Sequence, residues 1–279
     1  TDGHAPNSLV WLGATAQATK RVVLGTSVLT PGYRYNPGVI AQAFATLACL
    51  APGRVILGAG TGESLNEVVV GMDWPEQSER FARFKEALDL IARLWREERL
   101  TYEGQFYKTH NATIYDRPEQ PVPIYIAAAG PAAAKLAGRT ADGFICTSGK
   151  PKELYLDTLI PGVKEGAEKA GRDPKTIEVA PQYIVHLGKT KEAAIERFQQ
   201  TQMCKHLDSL KKSTLKEQGA IQHHDINLIG TPEQVVERAL AFRDAGVTHL
   251  LGLYFAANSV DELCDQMEWF SRDVMPHLR

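Results

Sequence analysis

The stretch GAGTGESLNE, residues 58–67, contains the residue types that most directly suggest chemistry. Three glycines precede Glu63, a carboxylate that can act as a general acid or base. The glycines lack the Lys-Ser/Thr ending of a phosphate-binding loop, and their spacing does not fit the dinucleotide fingerprint. The favoured interpretations are a capping acid at a helix start and a loop that holds a carboxylate at a reactive site. Asn66 would share the helical face of Glu63.

Three other stretches follow apolar runs and carry small or polar residues. They are GTSVLTP (25–31), AAAGPAAAKLAG (127–138) and CTSGK (146–150). The last combines the hydroxyls of Thr147 and Ser148 with the Lys150 cation, a set that suits a phosphate or sugar hydroxyls. A polar turn and a solvated loop lysine are the alternatives.

No group of residues has the sequence spacing of a metal site. The cysteines are far apart and predict reduced, mostly buried thiols. They are Cys49, Cys146, Cys204 and Cys264. The adjacent pair His223 and His224 lies in a polar stretch, where solvated side chains are expected. No metal is therefore predicted.

Composition is that of an ordinary globular chain of 279 residues with 44% hydrophobic content. The net charge of −2 gives no general attraction to nucleic acid or to an anionic membrane. No apolar run reaches the roughly 18 residues that a membrane-spanning helix needs. The expected location is the cytoplasm.

Six short runs rich in Val, Ile and Leu have the composition of strands buried in a parallel sheet. The runs are residues 21–29, 54–60, 122–130, 142–149, 177–188 and 247–256. Helical patterns cover residues 36–50, 78–97, 131–140, 152–171, 231–246 and 259–278. Alternating strands and helices predict a parallel α/β fold.

Two architectures are compatible with this alternation: an open doubly wound sheet and a closed (β/α)8 barrel. A barrel needs eight strands, so the six runs would be strands 3 to 8, with two strands missing at the front. The long, polar and helical region 189–230 is interpreted as an insertion after strand 7. The whole chain, 1–279, is interpreted as one domain.

Several stretches together resemble the bacterial-luciferase-like superfamily. The resemblance is closest to the branch that depends on the deazaflavin coenzyme F420 and that includes sugar-phosphate dehydrogenases. The stretches are GHAPNSLVWL, LGTSVLTPGYRYNPGVIAQAFATLACL, LGAGTGESLNE and YIAAAGPAAAKLAGRTADGFICTSGKPKELY. The resemblance implies an α/β TIM barrel of luciferase-like type with a helical insertion after strand 7.

The resemblance also implies a reaction and a site. With F420 as cofactor, a hydride would pass between its C5 and an alcohol, sugar or sugar-phosphate carbon. Glu63 matches the catalytic carboxylate, and a cis peptide bond between Ser27 and Val28 would support the deazaflavin ring. The other implied contacts are Thr30, Thr61, Gly62 and Asn66 for the cofactor, Ala129, Gly130, Ala132 and Ala133 for its phosphate end, and Thr147 and Lys150 for the substrate.

Two departures from the family pattern accompany this resemblance. The family carries two further strands, an Asp-His pair and a Trp upstream of Thr1, so the sequence is predicted to lack roughly 45 N-terminal residues. A phosphate-binding Arg of the sugar-phosphate enzymes falls near Asp225, and an acid beside a phosphate is repulsive. Glucose 6-phosphate is therefore disfavoured as the substrate.

Two other functions are compatible with the same fold. One is an FMN-dependent luciferase-like monooxygenase, with FMN as the alternative cofactor, and the other is a non-catalytic flavin-binding relative. A deazaflavin carries hydride and reacts poorly with oxygen, which favours a dehydrogenase or reductase acting on CH–OH groups. The expected partners are a small-molecule substrate and a second copy in a homodimer, with no nucleic acid and no membrane.

Overall fold

The structure is a computed structural model that describes residues 6–127, 129–146, 152–211, 222–251 and 253–278. The chain forms two compact units. The first contains residues 6–127 and 141–143, and the second contains the described residues of 129–140 and 144–278. Within the described ranges, no helix is both long and apolar enough to cross a membrane.

The first unit combines parallel strands with helices and one antiparallel hairpin. Its elements are α1 (Ser8–Ala18), β1 (Leu24–Gly25), α2 (Pro37–Leu50), β2 (Val55–Ala59), α3 (Ser64–Glu67), α4 (Gln77–Arg96), β3 (Leu100–Glu103), β4 (Lys108–Ala112) and β5 (Ile124–Ala127). Leu24 of β1 pairs with Val55 of β2, and Leu57 of β2 pairs with Ile124 of β5. β2 therefore lies between two parallel neighbours, while β3 and β4 form the hairpin.

Local sequence signals explain where the helices of this unit begin. Asn36 caps α2, because its side-chain oxygen accepts the Gly38 N–H at 2.8 Å. Pro37 follows in the first turn, where its missing N–H has no intrahelical partner to lose. The buried residues of α4 recur at helical spacing and are Phe84, Ala87, Leu88, Leu90, Ile91 and Leu94.

The second unit contains parallel strands and the helices from Pro131 onward in the chain. Its elements are α5 (Pro131–Thr140), β6 (Gly143–Cys146, of which Gly143 is counted in the first unit), α6 (Lys152–Leu154), α7 (Ile160–Lys169), β7 (Glu178–Pro181), β8 (Tyr183–Leu187), α8 (Lys191–Gln199), α9 (Gln202–Lys211), α10 (His223–Ile226), β9 (Leu228–Gly230), α11 (Pro232–Asp244), β10 (Leu253–Phe255) and α12 (Val260–Asp273). β8 lies between β9 and β10 and is parallel to both. The parallel pairs of the two units confirm the α/β class.

The predicted strand 177–188 is in fact two strands with different partners. β7 ends at Pro181, and the next residue, Gln182, donates its N–H to the carbonyl of Cys146 in β6 at 2.9 Å. β8 then pairs with β9 and β10. Because Pro181 has no N–H to contribute to a ladder, the change of partner falls beside it.

The predicted strand 21–29 is shorter than expected. Only Leu24–Gly25 is extended and paired, with a single further bridge between Leu29 and Ala59. The Thr26 hydroxyl donates to the Gly58 carbonyl at 2.7 Å. A side-chain donor therefore adds to the backbone contacts where the ladder stops.

Region 189–230, the predicted insertion, contains α8, α9 and α10 and ends in β9. The helices agree with the expected helical content, whereas the short strand β9 was not expected. Its three residues are too few to show a strand pattern. The hairpin β3–β4 was also missed, because its sequence is largely polar.

All four cysteines are free thiols, but only two of them are buried. Cys146 lies in β6, and Cys204 packs in a core cluster of the second unit. Cys49 and Cys264 are exposed on α2 and α12, so the prediction of mostly buried thiols is wrong for these two.

A bidentate ion pair joins α8 to α12 in the second unit. Arg197 Nε and Nη2 donate to the two carboxylate oxygens of Glu262, each at 2.6 Å. These hydrogen bonds lower the pKa of Glu262. Planar fork-to-fork pairing of this kind is stronger than an ordinary surface contact.

His186 is a buried histidine in β8 of the second unit. It is 2% exposed, and its Nδ1 donates to the carbonyl of Ala256 at 2.7 Å. Burial disfavours the imidazolium and lowers the pKa of His186. The side chain is therefore neutral in the folded protein at neutral pH.

Acid should weaken the fold through His186. Because its folded pKa lies below the unfolded value of about 6.5, His186 contributes its full stability above that pH and loses it as the pH falls. We expect the urea midpoint to fall between about pH 7 and pH 5, and to fall less in His186→Gln, which keeps a donor but cannot titrate. The exposed His277→Gln is the control. Equal pH dependence in His186→Gln and wild type would contradict the assignment.

Candidate active site

Two backbone segments of the first unit lie side by side where the candidate site begins. The segment after β1 donates the Leu29 N–H to the Gly58 carbonyl at 2.9 Å, and Gly60 returns its N–H to the Leu29 carbonyl at 2.9 Å. The Thr26 hydroxyl also donates to Gly58. These three hydrogen bonds fasten the loop after β2 to the end of β1.

A cis peptide bond joins Ser27 and Val28, at the position that the family resemblance implies. Ser27 is half-buried, whereas Val28 leaves 40% of its side chain exposed. A β-carbon at Gly60 would lie 2.8 Å from Val28 Cγ2 and 3.3 Å from the β-carbon of Ala127. Glycine at position 60 is therefore required for Val28 to occupy this place.

Gly62 makes the second close approach of this loop. Its φ of +88° favours glycine, and a β-carbon there would lie 2.9 Å from Thr30 Cγ2 and 3.2 Å from Thr30 Oγ1. Trp74 borders the same point at 3.5 Å. Thr30 is only 6% exposed, so it supports the loop from beneath, and its predicted contact with a cofactor stays a prediction.

Glu63 follows the glycines and occupies the N-cap position of α3. Its carboxylate makes no cap hydrogen bond, and its side chain is exposed. Asn66 Nδ2 donates to Glu63 Oε2 at 3.4 Å. The carboxylate is thus presented to solvent beside an amide, and its acid/base role stays a prediction.

The residues predicted to contact the phosphate end of a cofactor lie in the second unit. Ala129 and Gly130 precede α5, and Ala132 and Ala133 lie in its first turn. A β-carbon at Gly130 would meet no atom of the described residues within 4 Å. The first N–H groups of a helix have no intrahelical acceptor and suit an anion.

Thr147 and Lys150, the predicted substrate-binding residues, lie outside the described residues. The structure therefore does not test them.

One buried acid of the candidate site was missed by sequence analysis. Glu67 ends α3 and is fully buried, with Oε1 3.5 Å from Arg34 Nε. Burial raises the pKa of Glu67, and the Arg34 charge partly opposes this. Nothing local distinguishes Glu67 from a solvated helical acid, because its burial depends on a distant part of the chain.

The described site residues of the first unit fit a flat ring with a polar edge. Val28 offers an exposed apolar side chain, and Thr61 and Gly62 are half-exposed. Glu63 and Asn66 supply a carboxylate and an amide. A flavin or deazaflavin ring combines an apolar face with a polar rim and suits this set of groups.

Comparison with known proteins assigns the family. The profile of the luciferase-like monooxygenase family matches residues 1–249, and the chain belongs to this family. The predicted superfamily is thereby confirmed.

Two relatives are similar over nearly the whole chain. The F420-dependent glucose-6-phosphate dehydrogenase of Nakamurella multipartita is 48% identical, covering 99% of this chain and 84% of the relative. The enzyme of the same name from Kineococcus radiotolerans is also 48% identical, covering 100% of this chain and 84% of the relative.

A solved structure is also similar over nearly the whole chain. An F420-dependent secondary alcohol dehydrogenase, in complex with an F420-acetone adduct, is 28% identical with a TM-score of 0.86. The similarity covers 99% of this chain and 85% of that chain.

Gly62→Ala should destabilise the protein more than Gly71→Ala. Both glycines have a positive φ, +88° and +82°, so both substitutions carry a similar backbone cost of about 1 kcal/mol. The alanine at 62 would also overlap Thr30, which adds about 1–3 kcal/mol, whereas a β-carbon at 71 would meet no atom of the described part of the chain within 4 Å. Urea unfolding measures both values.

Thr30→Ala provides the second test of this contact. It removes the methyl and hydroxyl groups that the new β-carbon would meet, so the excess cost of Gly62→Ala should largely disappear in that background. An excess that persists in the double variant would show that Thr30 is not its source.

Proposed function

We propose that this protein is an F420-dependent oxidoreductase that acts on CH–OH groups. The observation that carries the proposal is the 48% identity, over nearly the whole chain, to enzymes named as F420-dependent dehydrogenases. The solved relative named as an F420-dependent secondary alcohol dehydrogenase supports the same reaction class. The substrate class is an alcohol, a sugar or a sugar phosphate.

Several described residues of the candidate site have roles in this proposal. F420 would supply the hydride-accepting carbon, C5 of its ring. Val28 and the backbone of Thr61 and Gly62 would support the ring, and the Asn66 amide donates to the Glu63 carboxylate. Oxidation of a carbinol releases a hydride and a proton, and Glu63 exchanges a proton at its carboxylate oxygen.

The relatives are named for different substrates. The relatives at 48% identity are named for glucose 6-phosphate, and the solved relative is named for a secondary alcohol. Asp225 is exposed, and its carboxylate lies 3.7 Å from His224. The family resemblance implies a phosphate-binding Arg near this position, and a carboxylate there would repel a phosphate. Substrates with and without a phosphate group should therefore be compared.

A cofactor and substrate screen tests the proposal. Purified protein is titrated with F420 and with FMN, and binding is followed by fluorescence quenching. F420 reduction is then followed by the loss of its visible absorbance with glucose 6-phosphate, glucose and 2-propanol. Glucose is the matched control, since it differs from the first substrate only by the phosphate. Tight binding of FMN without binding of F420 would sink the proposal.

Glu63→Gln should lower F420 turnover by roughly 10²- to 10⁴-fold, because the amide has nearly the shape of the carboxylate but cannot exchange a proton in the same way. The dissociation constant of F420 should change little. Glu76→Gln is the matched control: Glu76 is also an exposed N-cap acid without a cap hydrogen bond, at the start of α4. Wild-type turnover in Glu63→Gln would remove this residue from the mechanism.

Several finer expectations remain predictions within this proposal. They are the single barrel domain over 1–279 with strands 3 to 8, the insertion 189–230, the homodimer, the cytoplasmic location and the cofactor and substrate contacts of the individual residues.

A further inference from the structure

The turn that carries Glu63 is too short to be stable by itself. α3 contains four residues, and the Glu63 carbonyl accepts the N–H groups of Asn66 at 2.9 Å and Glu67 at 3.2 Å. An isolated helical turn is unfavourable because it fixes several dihedral angles for each hydrogen bond gained. Contacts outside the turn must therefore hold Glu63 in place.

Among the described side chains of this turn, Glu67 makes the buried contact. Its side chain is fully buried, and its carboxylate faces the Arg34 guanidinium, with Oε1 3.5 Å from Nε. Residues 68–70, which follow directly, are exposed valines and provide no comparable anchor. A buried carboxylate without its counter-charge is strongly unfavourable, so the ion pair resists separation of α3 from Arg34.

The segment that carries Arg34 is itself fixed. Gly32 donates its N–H to the Tyr35 carbonyl at 2.8 Å, and Tyr107 Oη donates to the Gly32 carbonyl at 3.0 Å. Burial raises the pKa of Tyr107 to about 12, which keeps this hydroxyl a donor. Arg83 of α4 lies 5.5 Å from the ring centroid of Tyr33. Contacts at Gly32, Tyr33 and Tyr35 therefore hold the segment on both sides of Arg34.

We infer that Glu67 is a positioning residue for Glu63 and that Arg34 is its counter-ion. The pair holds α3 in its helical turn and thereby fixes the carboxylate at the other end of that turn. The catalytic part of this inference rests on the proposed function. Its structural part, that the pair holds the turn, can be measured without turnover.

Glu67→Gln tests the inference, because it keeps the shape of the side chain and removes its charge. We expect kcat to fall at least ~10-fold, since small displacements of a catalytic group are costly, while KM and the F420 dissociation constant stay within about 2-fold. Arg34→Gln should give the same loss. Arg34→Lys, which keeps the charge, should recover part of it. The double variant Arg34→Gln/Glu67→Gln should lose little more than either single variant.

Hydrogen exchange gives the readout that does not depend on activity. The backbone N–H groups of residues 66 and 67 donate to the Glu63 carbonyl. In the Glu67→Gln variant, both should exchange with solvent faster than in the wild type, by roughly 10-fold or more. Exchange at the wild-type rate would overturn the inference, whether or not the protein turns over F420. If the wild type neither binds nor reduces F420, the proposed function fails and exchange alone decides the structural part.

Glu262→Gln is the matched control, because it breaks an ion pair with Arg197 in the second unit. It should lower the melting temperature and leave kcat unchanged. If Glu67→Gln behaves in the same way, with stability reduced and kcat intact, Glu67 is a structural residue and the inference is wrong.

Discussion

The close approach of two backbone segments is the constraint on which the candidate site depends. Leu29 donates its N–H to the Gly58 carbonyl and accepts the Gly60 N–H, and a side chain at Gly60 or Gly62 would overlap Val28 or Thr30. Tight contact on one side of the loop leaves the other side, with Glu63, exposed. The position of the Glu63 carboxylate thus depends on glycine at both position 60 and position 62.

Local signals in the sequence predicted the parts of the fold that short-range interactions determine. Thr231 starts α11 through a capping box with Gln234, and the predicted helices 36–50 and 78–97 begin and end within one residue of α2 and α4. The cis peptide at Ser27–Val28 was predicted only through family resemblance. Its position depends on tertiary surroundings, which local patterns do not report.

Residues whose environment is set by distant contacts could not be predicted in this way. Glu63 and Glu67 are the same residue type on one short turn, yet the first is exposed and the second is fully buried. The buried carboxylate of Glu67 faces Arg34, which lies before α2 in the chain. Likewise, the interruption between β7 and β8 lies at Gln182, whose N–H bonds to Cys146 in another strand. The run 177–188 gives no local sign of this contact and was therefore predicted as one strand.

The pairing of β8 has a consequence for the order in which the protein folds during synthesis. All five residues of β8 are buried, and the bond between His186 and Ala256 spans 70 positions of sequence. The ribosome therefore releases an apolar strand well before its second neighbour, β10, exists. Until then β8 has an open edge, which other unfinished chains can pair with. A nascent chain that stalls before β10 therefore keeps this edge open for longer.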